Sequence, residues 1–250
     1  MRSMRRLLPL AFVVIVLSAC ASGPGQRIDA EKVADANANI GIDYLRKTQY
    51  DLALTSLHKA LRFNPDHVEA NWALGITYSR LKDPAEAEQF YSRAVQLQPR
   101  PDILNSYGVF LCQQGKTDQA ISNFNRAADN PRYTASADAY ANAGFCLVQS
   151  NRLKDAEGFF RKALKNDPKQ KTALLQMAEI NYKQSRYFPA RAFFQRLDAT
   201  STLSDESLLL GTRIELALNE RDTANEYLRR YNSNNPGATL TLQQVRTAVR

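Results

Sequence analysis

The 250-residue sequence is poor in the side chains that do chemistry: two histidines, three cysteines and one tryptophan. His58 lies in a helical pattern and His67 just after a proline, and neither has Cys, Asp or Glu partners at metal-ligand spacing. Both are read as structural or surface residues. No glycine-rich phosphate loop, nucleophile elbow or metalloprotease helix motif occurs, so no cofactor, metal or small-molecule substrate is expected, and an enzyme is not. Basic residues are interspersed with acids along the whole chain, which argues against the clustered patch that binds nucleic acid. Long apolar runs are also missing: Leu7 to Leu17 falls well short of the roughly 20 helical residues that cross a hydrocarbon core.

The N-terminus is informative despite that short run. Arg2, Arg5 and Arg6 precede it, and Leu17, Ser18, Ala19 and Cys20 follow it, which is the layout of a secretory signal over residues 1–19. Those last four residues resemble the lipobox of bacterial lipoproteins. The resemblance implies that Cys20 becomes the first residue of the mature chain and carries acyl chains on sulfur and nitrogen. Several chains, at about 0.8 kcal/mol per buried methylene, make a stable anchor in outer-membrane lipid. An ordinary signal cleaved near Ala19 or Ala21, with Cys20 incidental, is the alternative. Ala21 and Ser22 follow, not the aspartate of lipoproteins retained at the inner membrane, so the resemblance implies the periplasmic face of the outer membrane. Losing residues 1–19 takes three arginines off a formal net charge of +8 and leaves a mildly basic chain.

Beyond the signal the sequence repeats itself. Gly41, Tyr44, Ala53, Leu57, Ala60 and Pro65 recur 34 residues on as Gly75, Tyr78, Ala87, Tyr91, Ala94 and Pro99. They recur again as Gly108, Leu111, Ala120, Phe124 and Ala127, then as Gly144, Leu147, Ala156, Phe160, Ala163 and Pro168. Two looser units follow, one with Ala178, Ala190, Phe194 and Leu197, one with Leu208, Gly211, Ala224, Leu228 and Pro236. A fixed period of this length dictates a stack of identical supersecondary units. Each unit holds two apolar-periodic segments separated by turn-prone residues such as Leu81 to Pro84. The glycine and first alanine let two helices approach, the bulky residue and second alanine pack the pair on its neighbour, and proline ends it.

These residues carry the tetratricopeptide repeat pattern, and the chain is identified as a member of that family. The resemblance implies an all-α, right-handed superhelical solenoid of about six repeats, at 34–67, 68–100, 101–136, 137–170, 171–204 and 205–238. Residues 20–33 then read as a flexible tether and 239–250 as a C-terminal cap over the last repeat. Cys112 and Cys146 fall on the first helices of adjacent repeats, where a disulfide in an oxidising periplasm is favoured over two buried thiols. In this family the first helices line a concave groove, with the residue after the glycine pointing into it. That position holds Ile42, Ile76, Val109 and Phe145; Leu45 and Trp72 lie one turn away on the same face. An apolar strip there is a candidate site for a peptide segment, the alternative being ordinary inter-repeat core. Lys165, Lys169 and Lys171 read as a solvated turn.

A lipobox followed by six such repeats resembles the type IV pilus biogenesis and stability lipoproteins, the PilW/PilF-type pilotins. The resemblance implies a protein without catalysis that binds secretin subunits through its groove and promotes their outer-membrane localisation and multimerisation, with twitching motility depending on it. A different envelope scaffold, recruiting outer-membrane assembly factors or cell-wall enzymes, has the same sequence features.

Overall fold

The computed structural model describes residues 29–247, which form thirteen α-helices and no strand. Twelve pair in order along the chain: α1 (Ala30–Arg46) with α2 (Tyr50–Phe63), α3 (Val68–Arg80) with α4 (Pro84–Leu97), α5 (Pro101–Gln113) with α6 (Thr117–Ala128). Then come α7 (Ser136–Gln149) with α8 (Leu153–Asn166), α9 (Lys171–Lys183) with α10 (Tyr187–Asp198), and α11 (Asp205–Ala217) with α12 (Arg221–Asn234). The short α13 (Leu242–Thr247) lies against α11 and α12, with Val245 buried. The chain is an all-α solenoid, as expected.

One boundary differs from the sequence reading. Helix α1 starts at Ala30, inside the stretch expected to be tether as far as residue 33. The cause is local: the Asp29 carboxylate accepts from the Lys32 N–H at 3.4 Å, and Ala30, Glu31 and Lys32 suit a helix start. The expected signal, Cys20 and the rest of the expected tether lie outside the described residues, as do 248–250.

The turn inside every repeat is built the same way. Thr48, Lys82, Gly115, Asn151, Ser185 and Asn219 all take left-handed backbone angles, with φ between 58° and 72°. The next N–H reaches back five residues to a first-helix carbonyl: Gln49 to Tyr44 at 2.9 Å, Asp83 to Tyr78 at 3.0 Å, Arg186 to Asn181 at 2.8 Å. This arrangement satisfies the carbonyls that a helix end orphans and reverses the chain. Starts are capped where side chains allow: Asp83 accepts from Glu86 N–H with Pro84 behind it, and Ser204 accepts from Ser207 N–H.

Close approach within each of the first four hairpins needs glycine; repeat five has Ala178 in its place. A Cβ added to Gly41, Gly75, Gly108 or Gly144 would stand 2.5–2.8 Å from the side chain of Leu57, Tyr91, Phe124 or Phe160 respectively. Those four side chains are buried, at 4% exposure or less, each stabilising the fold by about 1.5–3 kcal/mol. Repeat six departs from this: a Cβ added to Gly211 would first meet Phe194 of repeat five, at 2.5 Å, and then Tyr227 of its own repeat, at 3.3 Å.

The stack curves, and the contacts say which way. First helices touch the next first helices (α1 with α3, α3 with α5, α5 with α7, α7 with α9, α9 with α11), whereas among the described residues no two second helices touch. Helices on the inner side of a bend are closer together, so the odd-numbered helices form the concave layer. Ion pairs tie successive repeats: Arg152 to Asp118 at 2.7 Å, Arg186 to Glu157 at 2.6 Å, Arg230 to Asp198 at 3.0 Å. The exposed Arg152–Asp118 pair is worth roughly 0–1 kcal/mol, whereas Glu157 and Asp198 are partly buried.

Candidate functional site: the concave layer of first helices

All six residues of the expected strip stand on odd-numbered helices, and the structure divides them into two groups. Ile42 and Leu45 pack partly into the cluster of Ala53, Leu57 and Leu74; Trp72 and Ile76 pack partly against Tyr91, Phe110 and Phe124. Val109 and Phe145 are open to solvent, at 36% and 42% exposure. The strip is therefore half inter-repeat core at its N-terminal end and free apolar surface at repeats three and four.

Trp72 shows why its end is fixed. The Arg100 guanidinium lies 5.8 Å from the indole ring centre, in cation–π range, and is itself held by Asp102 at 3.0 Å and by Glu69. Glu69 and Trp72 are one turn apart on α3, while Arg100 precedes α5, so this contact spans the junction of repeats two and three.

Between α3 and α5 the inner face opens into a cleft of about 660 Å³. Ile76, Val109 and Phe110 supply its apolar wall, and Arg80, Asn105 and Gln113 its polar rim. Arg80 and Gln113 were not singled out in the sequence, although each follows a strip residue by four positions and so shares its face. Tyr91 forms the floor, and burial pushes its phenol far above the ordinary tyrosine range, so it stays neutral. Apolar wall, neutral floor and hydrogen-bonding rim suit a peptide segment anchored by apolar side chains.

Cys112 on α5 and Cys146 on α7 are joined in a disulfide, with Cα atoms 5.7 Å apart, pinning two concave helices together. His67 is buried at the start of α3: its Nδ1 accepts from the Ala70 N–H at 3.2 Å and its Nε2 lies 2.9 Å from Asp35 of repeat one. His58 contacts the Tyr78 hydroxyl at 2.9 Å. Both histidines thus join repeats one and two. Lys165, Lys169 and Lys171 are exposed. Among the described residues no group of three His, Cys, Asp or Glu is placed to hold a metal ion, and no helix is long and apolar enough to cross a membrane.

This architecture defines a class: the chain belongs to the tetratricopeptide repeat family, whose model matches residues 39–101, 111–171 and 147–203. It is a scaffold of that family, not an enzyme. Within the class it is homologous to the type IV pilus assembly protein PilF of Pseudomonas aeruginosa, 29% identical over 198 residues that make up 79% of each chain. The solved structure of Pseudomonas aeruginosa PilF covers 88% of this chain and 99% of its own, with 27% identity and a TM-score of 0.75. PilW, described as a widely conserved type IV pilus biogenesis factor, shares the fold with a TM-score of 0.73 at 24% identity and the same coverage.

Proposed function

We propose that this protein is an outer-membrane lipoprotein of the type IV pilus machinery. It holds secretin subunits in its concave groove and promotes their localisation and multimerisation. The observation that carries the reading is the end-to-end match with PilF, whose whole solved chain corresponds to this solenoid with no domain left over. A stack of repeats with an apolar cleft and no catalytic constellation acts by binding, so the anchor supplies the address and the groove the client. Acyl chains on Cys20 place the solenoid on the periplasmic face, and the cysteine pair fits that oxidising compartment.

Crosslinking in intact cells followed by capture of this protein tests the reading. A secretin as the dominant partner, with loss of surface pili and twitching on deletion, is the expected result. Cell-wall enzymes or outer-membrane assembly factors captured without secretin would overturn it in favour of another envelope scaffold. Within the groove, Val109→Asp with Phe145→Asp is expected to cut secretin capture at least about tenfold, because a charge in an apolar contact goes undersolvated. The melting temperature should hold, since both side chains are already exposed. For the anchor, Cys20→Ala is expected to leave helix content intact and move the protein out of the outer-membrane fraction.

A further inference from the structure

The concave face changes character along its length. The position after the glycine holds Ile42, Ile76, Val109 and Phe145 in the first four repeats; in the last two, where Ala178 and Thr212 stand in the glycine register, the equivalent position holds Glu179 and Arg213. Around Arg213 two clefts of about 310 and 350 Å³ adjoin, sharing Leu216 and Arg246. Tyr182 of α9 and Arg213 line the first; Arg221 and Leu242 line the second. Three arginines thus converge where α13 packs on α11 and α12, beside Tyr182 of α9.

What sets them apart is that they gather at one place with no carboxylate among them. Arg100, Arg152, Arg186 and Arg230, by contrast, are matched across repeat junctions. For Arg213, Arg221 and Arg246 no carboxylate of the described residues lies within 4.0 Å. Arg213 adds a second observation: its Nε, like that of Arg186, is withdrawn from solvent and donates to no acceptor. A buried donor left unmade costs about 1–3 kcal/mol, more when charged, a cost that is relieved when the side chain turns outward to meet a carboxylate in the cleft. The buried acid next to it, Glu215, is engaged on the other side of α11, 3.8 Å from Arg191 of α10. It does not neutralise the cleft.

We propose that this C-terminal cleft is a second docking site, taking an acidic peptide segment whose carboxylates meet Arg213 and Arg246 and whose apolar side chains rest on Leu216 and Leu242. Charge complementarity selects the occupant: forked guanidinium donors match carboxylates in geometry and sign. The site is separate from the apolar cleft between α3 and α5, so a client lying along the concave face would meet apolar anchoring first and acid recognition at the far end.

Fluorescence anisotropy with the full chain tests this, using a labelled octapeptide of alternating Glu and Leu and its Gln–Leu counterpart. The acidic peptide is expected to bind at least about tenfold more tightly, with the advantage shrinking as salt rises. Arg213→Gln with Arg246→Gln should remove the advantage, and Arg246→Gln alone, at an exposed position where folding is not at risk, should remove part of it. Val109→Asp in the other cleft should leave it untouched, so failure here is distinguishable from failure of the secretin reading. Equal binding of the two peptides, or undiminished preference in both arginine variants, overturns the proposal. So does acidic-peptide binding that appears only after residues 248–250 are removed, which would make the chain's own C-terminal carboxylate the occupant.

Discussion

At single residues the same chemical change has opposite consequences, depending on what the backbone faces. Gly75→Ala places a methyl 2.8 Å from the Tyr91 ring, a buried side chain with nowhere to go. Overpacking costs of about 1–3 kcal/mol exceed the gain of up to about 1 kcal/mol from replacing a helical glycine. A lower urea midpoint is expected. Gly158→Ala, on the exposed face of α8 with nothing within 4 Å of the new Cβ, should raise that midpoint, being worth about 0.5–1 kcal/mol. Equal effects from the two would show that the glycine positions are not set by packing.

Glu215 is the other residue with a sharp prediction. It is 1% exposed, one carboxylate oxygen has no hydrogen-bond partner, and burial raises its carboxyl above the ordinary range, with Arg191 opposing. A raised pKa means the folded state holds the proton more tightly than the unfolded one. Its contribution to stability is therefore present below the unfolded value and is lost as pH rises through the folded one. Glu215→Gln should accordingly stabilise the protein at pH 7, by about 1 kcal/mol, and do nothing below about pH 4, where the acid is protonated in both states. Denaturation of both forms across that range checks it; a gain independent of pH would contradict it.

At the scale of elements, the disulfide and the turns show what a linear pattern conveys and what it hides. The 34-residue spacing and the small-large alternation of Gly75, Ala87, Tyr91 and Ala94 made the hairpins readable, because every repeat must solve the same packing problem. The turn residue was not readable: among the six left-handed positions only Gly115 is glycine, while Thr48, Lys82 and Ser185 carry no such signal. There the hydrogen bonds of the helix end override the local preference. Cysteine placement on adjacent first helices favoured the bond over two thiols without fixing it, since the bond depends on how α5 and α7 lie side by side. It closes a loop with sequence separation 34. In the chain-entropy model such a crosslink is worth about 3–4 kcal/mol. Reduction, or Cys112→Ser with Cys146→Ser, should lower the urea midpoint accordingly, and identical midpoints for oxidised and reduced protein would refute a stabilising role.

The whole molecule behaves as a one-dimensional stack, since each helix pair touches only its neighbours. Damage at one end should then stay there. Removing residues 239–250 takes away α13, the buried Val245 and the hydrogen bonds that Asn232 makes with Leu240 at 2.8 and 2.9 Å. Amide exchange in α11 and α12 is expected to speed up at least about tenfold, with α1 to α4 unchanged, in keeping with local opening governed by local contacts. Uniformly faster exchange would show instead that the solenoid unfolds as a single unit.

The sequence by itself determined the repeat, the helix pairs, the inward-facing positions and the family, because periodic packing writes the same residues at the same spacing. Tertiary structure decided what those positions became. Curvature drew α1, α3 and α5 together and took Ile42, Leu45, Trp72 and Ile76 partly into the core, leaving Val109 and Phe145 outside. It also brought Arg213, Arg221 and Arg246 from three helices to one place, where a one-residue offset of Gly211 had obscured the register. A strip's chemistry can be read from spacing, but its exposure depends on how far neighbouring repeats rotate, and only the folded stack sets that angle.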